Sequence, residues 1–245
     1  CLCTCYSLLE CSSMHCPAAL SGLSLNTLTI FSFCKTPELR TPCHLLVLSL
    51  ALADSGISLN ALVAATSSLL RRWPYGSDGC QAHGFQGFVT ALASICSSAA
   101  IAWGRYHHYC TRSQLAWNSA VSLVLFVWLS SAFWAALPLL GWGHYDYEPL
   151  GTCCTLDYSK GDRNFTSFLF TMSFFNFAMP LFITITSYSL MEQKLGKSGH
   201  LQVPALIAKM VPTINAINYA LGNEMVCRGI WQCLSPQKRE KDRTK

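Results

Sequence analysis

The chain has 245 residues, of which 51% are hydrophobic and only 12% are charged, about half the ~25% charged share of a soluble domain. Lys and Arg number 17 against 12 Asp and Glu, a formal net charge of +5. Stretches 11–34, 79–104, 113–145 and 164–191 carry no charge, and 41–70 and 198–223 are broken only by Asp54 and Lys209. All six reach the ~20 residues that a bilayer-spanning helix requires. This pattern excludes a soluble globular domain, a disordered tail and a compact secreted disulfide scaffold. It defines an all-α, multi-span helical membrane protein whose partner is the lipid bilayer rather than nucleic acid.

In chain order, residues 1–17 form a separate Cys-rich amino-terminus, with Cys at 1, 3, 5, 11 and 16. Only His15 accompanies these cysteines at all closely, so the zinc-ligand spacing is missing and no metal site is assigned. A translated junction or altered exon explains the segment better. No basic region precedes the apolar stretch as it would in a signal peptide. The bundle spans 18–222, with apolar segments at about 18–34, 43–70, 80–104, 117–140, 165–190 and 201–222. Pro37 and Pro42 interrupt helix between the first two, and Arg71–Gly76 makes a turn of helix breakers and interfacial aromatics. Residues 143–164 are the longest polar connection, and Pro180 lies within the fifth span. Residues 223–245 are an amphipathic segment followed by a basic tail of cytoplasmic type.

An ionisable residue inside a span costs about 2.5–3.5 kcal/mol on insertion scales and is a functional candidate by default. Asp54 is either a buried carboxylate satisfied by Asn26 and Ser hydroxyls or an ion and water site that controls helix packing. Lys209 is either a lysine snorkelling to an interface or a desolvated amine able to attack an aldehyde as a Schiff-base nucleophile. Eleven uncharged residues before it and fourteen after it oppose the first reading.

Lys209 is followed by Asn215-Ala216-Ile217-Asn218-Tyr219, which resembles the lysine and Asn-Pro-x-x-Tyr motif of an opsin's seventh helix, with Ala in place of Pro. Asn26, Leu50-Ala51-Leu52-Ala53-Asp54, Cys80, Arg105-Tyr106, Trp128, Pro180 and Tyr188 follow in the order found in rhodopsin-like receptors. Over about 18–233 the chain resembles the opsins, and within them the retinochrome-like group, whose members look like photoisomerases that convert all-trans-retinal to the 11-cis form. The resemblance implies an opsin-like seven-helix fold, a covalent all-trans-retinal on Lys209, vision-related light sensitivity and a G protein as a possible partner.

The same resemblance assigns further roles. A protonated Schiff base is a buried cation and needs an anion. The position three residues after Cys80, acidic in vertebrate visual pigments, is His83 here, whereas the second-loop glutamate is present as Glu148. Glu148 is the counterion candidate, against a reading as one of four solvated loop carboxylates. His83 is either a hydrogen-bonding pocket residue or an interfacial histidine without a role. Cys80 and Cys154 are the implied disulfide, with the adjacent Cys153 as the competing partner. Asn164-Phe165-Thr166 is a glycosylation sequon close to the fifth span, and Cys227 and Cys233 are either palmitoylated or free. Gly104 replaces the acidic residue that normally precedes Arg105-Tyr106. Arg105 is therefore expected to lack a local partner, which weakens the case for G-protein coupling.

One span is missing from this pattern. The fifth segment ends near Leu190 and only about ten residues precede the lysine-bearing one, too few for a bilayer crossing. The sequence thus predicts a splice product with the sixth helix deleted. Six crossings would put the basic tail outside, against the positive-inside rule. Segment 201–222 is therefore expected to insert poorly or in mixed orientation, and the competing reading is an inactive product held in intracellular or endoplasmic-reticulum membranes.

Overall fold

A computed structural model describes residues 2–147, 151–157 and 163–196. Helix α1 covers Leu2–Lys35, α2 Pro42–Leu69, α3 Gly76–Thr111 and α4 Trp117–Ala136, the last continued by a 3₁₀ turn over Leu137–Leu140. After two short strands come α5, Arg163–Ser173, a π-helical turn at Phe174–Ala178, and α6, Met179–Gly196. Among the described residues, four helical segments are long and apolar enough to cross a membrane: Pro42–Leu69, Gly76–Thr111, Trp117–Leu140 and Arg163–Lys194. The lysine-bearing segment 201–222 lies outside the described residues.

Local chemistry sets the boundaries. α1 begins well before the expected residue 18 and runs through Pro17, because no other Pro and no Gly interrupts 2–16. Pro42 starts α2 rather than breaking it. It occupies the first helical turn, where its missing N–H has no partner to lose, and the Thr41 hydroxyl caps the helix by accepting from the His44 amide at 3.3 Å. α3 has 36 residues, or about 54 Å at 1.5 Å per residue, and so overshoots a ~30 Å hydrocarbon core. Pro180 cannot donate to the carbonyl four residues earlier, and the π-helical turn directly before it absorbs that fault.

α3 is the axis of the bundle. α2, α4, α6 and both strands pack on it, and α1 packs on α2. Its buried positions are mostly small, among them Ala93, Ser94, Ser97, Ala99, Ala100, Ala102 and Gly104. Small residues let helix backbones approach closely in a membrane, where lipid removes the hydrophobic drive to associate. Gly56 illustrates the fit: a Cβ there would lie 2.5 Å from the Thr90 methyl on α3. The opposite faces present large apolar groups outward, including Leu125, Phe126, Leu129 and Phe133 on α4 and Phe170 and Phe182 on the fifth span. Those faces suit lipid.

The connection after α4 is partly regular. Strand β1, Tyr145–Tyr147, pairs antiparallel with β2, Cys154–Leu156, in the register Tyr145 to Leu156 and Tyr147 to Cys154. Sequence reading assigns only polar loop here, because two three-residue strands are too short to leave a periodicity. The ribbon rests on α3 through Tyr145, whose ring fills the space a Cβ at Gly84 would need, 2.6 Å away. Gly84→Ala is therefore expected to displace the ribbon and destabilise the fold by about 1–3 kcal/mol, the usual range for overpacking. A lower thermal midpoint of the detergent-solubilised chain checks this, and an unchanged midpoint contradicts it.

Candidate functional site

The outer end of α3 gathers the candidate site. Cys80, in the second turn of the helix, is bonded to Cys154 at the start of β2, across a sequence separation of 74. Closing a loop of that length stabilises the fold by about 4–5 kcal/mol on a chain-entropy account. Cys153 is not the bridging residue; its Sγ lies 3.6 Å from His83 Nε2.

His83 is one turn further along α3 and is buried. Its ring centroid is 4.9 Å from that of Trp73. Asn60 of α2 faces it: the amide nitrogen is 2.7 Å from Gln86 Oε1, 2.9 Å from the His83 carbonyl and 3.2 Å from His83 Nδ1. Gln86 in turn donates to the Gly56 carbonyl at 3.1 Å. Sequence reading does not single out Asn60 or Gln86. Asn60 and Gln86 are uncharged, so a search for ionisable residues passes over them, although an amide in an apolar span is itself a usable signal.

Beside this polar cluster lies an aromatic one. Trp142 and Phe168 are 5.7 Å apart edge to face, Trp134 stacks on Phe175 at 5.7 Å, and Phe88 of α3 reaches Phe168 at 6.2 Å. Tyr145 donates its hydroxyl to the Ala135 carbonyl at 2.8 Å, and burial pushes that phenol above the ordinary tyrosine range, so it stays a neutral donor.

Deeper in the bundle, Asp54 Oδ1 accepts from Ser94 of α3 at 2.6 Å. Asn26 does not join it, since its amide donates to the Gly22 carbonyl at 2.9 Å. The Trp128 indole of α4 donates to Ser49, which shares a 3.1 Å hydrogen bond with Ser97. At the inner end, Arg105 has a partner after all. Its guanidinium donates to the Tyr188 hydroxyl of α6 at 3.1 Å, a neutral contact in place of the acidic one. Gly104 is buried, and a Cβ there would come within 3.2 Å of Leu46, so the α2–α3 contact favours Gly over a carboxylate. Tyr106 packs beside Ala102, Cys110, Tyr188 and Met191. A cavity of about 340 Å³ opens nearby, lined by His44, Leu46, Arg105, His108, Tyr109 and Leu115 among others.

Asn164 is exposed at the start of α5. Its amide nitrogen, the atom a glycan would occupy, donates to the Gly141 carbonyl at 2.7 Å, while its oxygen accepts from the Gly143 amide at 3.0 Å. Glycosylation would disrupt the first of these bonds. Glu148, Lys209, Asn215, Tyr219, Cys227 and Cys233 lie outside the described residues.

Residues 25–237 match the model of the 7 transmembrane receptor (rhodopsin family), and the chain belongs to that family. It is an opsin-like receptor related to proteins described as RPE-retinal G protein-coupled receptor. The Homo sapiens protein of that description is 86% identical over 265 residues, covering 93% of this chain and 91% of its own length. The Bos taurus protein is 75% identical, covering 92% and 90%. The crystal structure of squid rhodopsin superposes with a TM-score of 0.72 at 26% identity, over 93% of this chain and 65% of that one. Because 93% of this chain is about 228 residues, some 37 of the 265 positions aligned to the human protein have no counterpart here, more than the ~20 of one bilayer span.

Proposed function

We propose that this chain is a retinal-binding opsin of the photoisomerase type, which takes all-trans-retinal and returns the 11-cis form. The observation that carries the reading is the 86% identity to the human RPE-retinal G protein-coupled receptor, joined to a lysine placed in an apolar segment. Lys209 is the attachment residue: its amine adds to the retinal aldehyde and water leaves. When bound, retinal supplies the light-absorbing polyene. The described residues have the chemistry such a ligand would take, with an aromatic cluster of Trp134, Trp142 and Phe168 and a polar one of His83, Asn60 and Gln86. The anion is assigned to Glu148 of the outer connection, the residue that the resemblance to the opsins puts in that role.

The 37 unmatched positions support a deletion longer than one span, and the link between the fifth span and the lysine-bearing segment is too short for a crossing. On this reading the sixth helix is absent, and a G protein is a weak partner whose activation light-dependent nucleotide exchange would measure. A second reading draws on the same gap: an incomplete splice product that forms no pigment and stays in intracellular membranes. Cys227 and Cys233 remain palmitoylation candidates and Asn164 a glycosylation candidate.

Borohydride reduction of the retinal-loaded chain, followed by peptide mapping, is expected to place the retinyl group on Lys209. Lysines 35 and 194 lie at helix ends, outside the apolar interior where the ligand would sit. Label retained in Lys209→Ala rejects the assignment. Glu148→Gln removes the negative charge that favours the protonated imine, so the absorption band is expected to move to the near ultraviolet at neutral pH. A band that stays in place assigns the anion elsewhere.

A further inference from the structure

We propose that the cavity of about 340 Å³ at the inner end of the bundle binds the phosphate head of an acidic phospholipid. Its polar lining is of one sign. Arg105, His44, His108, Tyr109 and Gln114 bring hydrogen-bond donors to it, and none of the lining residues is Asp or Glu. The first turn of α2 lines the same space, and a helix presents the positive end of its dipole there. The rest of the wall is apolar, with Leu46, Val47, Ile101 and Leu115. A cationic side joined to an apolar side fits an anionic amphiphile.

Arg105 is the residue that calls for an anion. It is half-buried, and among the described residues its partner is the neutral Tyr188 hydroxyl at 3.1 Å, with no ion pair formed. A guanidinium carries five N–H donors, so that contact leaves four. A charge drawn partly out of water is costly unless an opposite charge meets it. The neighbouring Gly104 also lines the cavity and puts no carboxylate there. A phosphate accepts two parallel hydrogen bonds from a guanidinium, the geometry that suits Arg to this ligand.

The level in the membrane points to lipid as the source of that phosphate. Tyr109, in the cavity wall, is 49% exposed and Trp117, at the start of α4, is 48% exposed. Half-exposed aromatics of this kind mark the headgroup layer. α1, α3 and α6 end at this face and α2 begins there, bringing Lys35, Arg40, Arg112 and Lys194 against Glu38 and Glu192. A basic pocket between helices under such a rim is the arrangement that holds acidic headgroups. The volume lies at the lower end of the ~300–1,000 Å³ of ligand pockets. It admits a phosphate and its glycerol while the acyl chains stay in the bilayer.

The test needs no retinal. Thermal unfolding of the purified full-length chain in detergent is followed with dioctanoyl phosphatidic acid, dioctanoyl phosphatidylcholine or sodium phosphate added at equal concentration. Phosphatidic acid is expected to raise the midpoint with a saturable dose response. Phosphatidylcholine, whose choline cancels the charge, and sodium phosphate, which has no apolar part, are expected to leave it in place. Arg105→Gln and Gln114→Glu are each expected to raise the lipid concentration that gives half the effect at least about tenfold. Gln114 is exposed in the connection before α4, so its variant reads the site even if Arg105→Gln fails to fold. Arg72→Gln, exposed at the outer end, is expected to keep the wild-type response. An equal rise with phosphatidylcholine or sodium phosphate, a wild-type response in Gln114→Glu, or no rise with phosphatidic acid would each overturn the proposal.

Discussion

Helix α3 can stand at the centre of the bundle only because its buried face is small, and that constraint organises the rest. Ala and Ser at its contact positions let α2, α4 and α6 approach closely, but each serine so buried needs a hydrogen-bond partner in a medium without water. Asp54 and Ser49 of α2 supply those partners to Ser94 and Ser97, and the Trp128 indole of α4 donates in turn to Ser49. At the outer end the same helix is tied to the ribbon by the Cys80–Cys154 bond and by Tyr145 seated over Gly84. Interior polarity, outer cover and inner Arg105–Tyr188 contact are thus all consequences of where α3 runs.

The spans were legible because charge is so sharply segregated in the sequence. Segments expected at 43–70, 117–140 and 165–190 appear as Pro42–Leu69, Trp117–Leu140 and Arg163–Lys194. Lengths were less legible. α3 extends past the apolar core at both ends, since polar residues such as Asp78 and His108 are good enough helix formers once water is available. The β1–β2 ribbon left no periodic trace, and its pairing depends on a disulfide and on a tyrosine fitting a glycine.

Site residues divide along the same line. Asp54 and Arg105 stood out as charges, and a serine hydroxyl was expected at Asp54: Ser94 supplies it without Asn26, while Tyr188 meets Arg105 in place of an acidic neighbour. Asn60 and Gln86 escaped notice because they carry no charge. His144 and Asp157 lie thirteen positions apart, so only strand register brings them together as an ion pair. Membership of the rhodopsin family is consistent with all of these positions, while the deletion proposed after the fifth span bears on whether the lysine-bearing segment completes a pocket.

The central claim is that this chain holds retinal through Lys209. Its most direct test is the absorption spectrum of the chain purified in darkness with all-trans-retinal. The account predicts a band shifted from that of free retinal, altered by illumination and absent in Lys209→Ala. A spectrum indistinguishable from free retinal, or a shifted band that survives in Lys209→Ala, would contradict it.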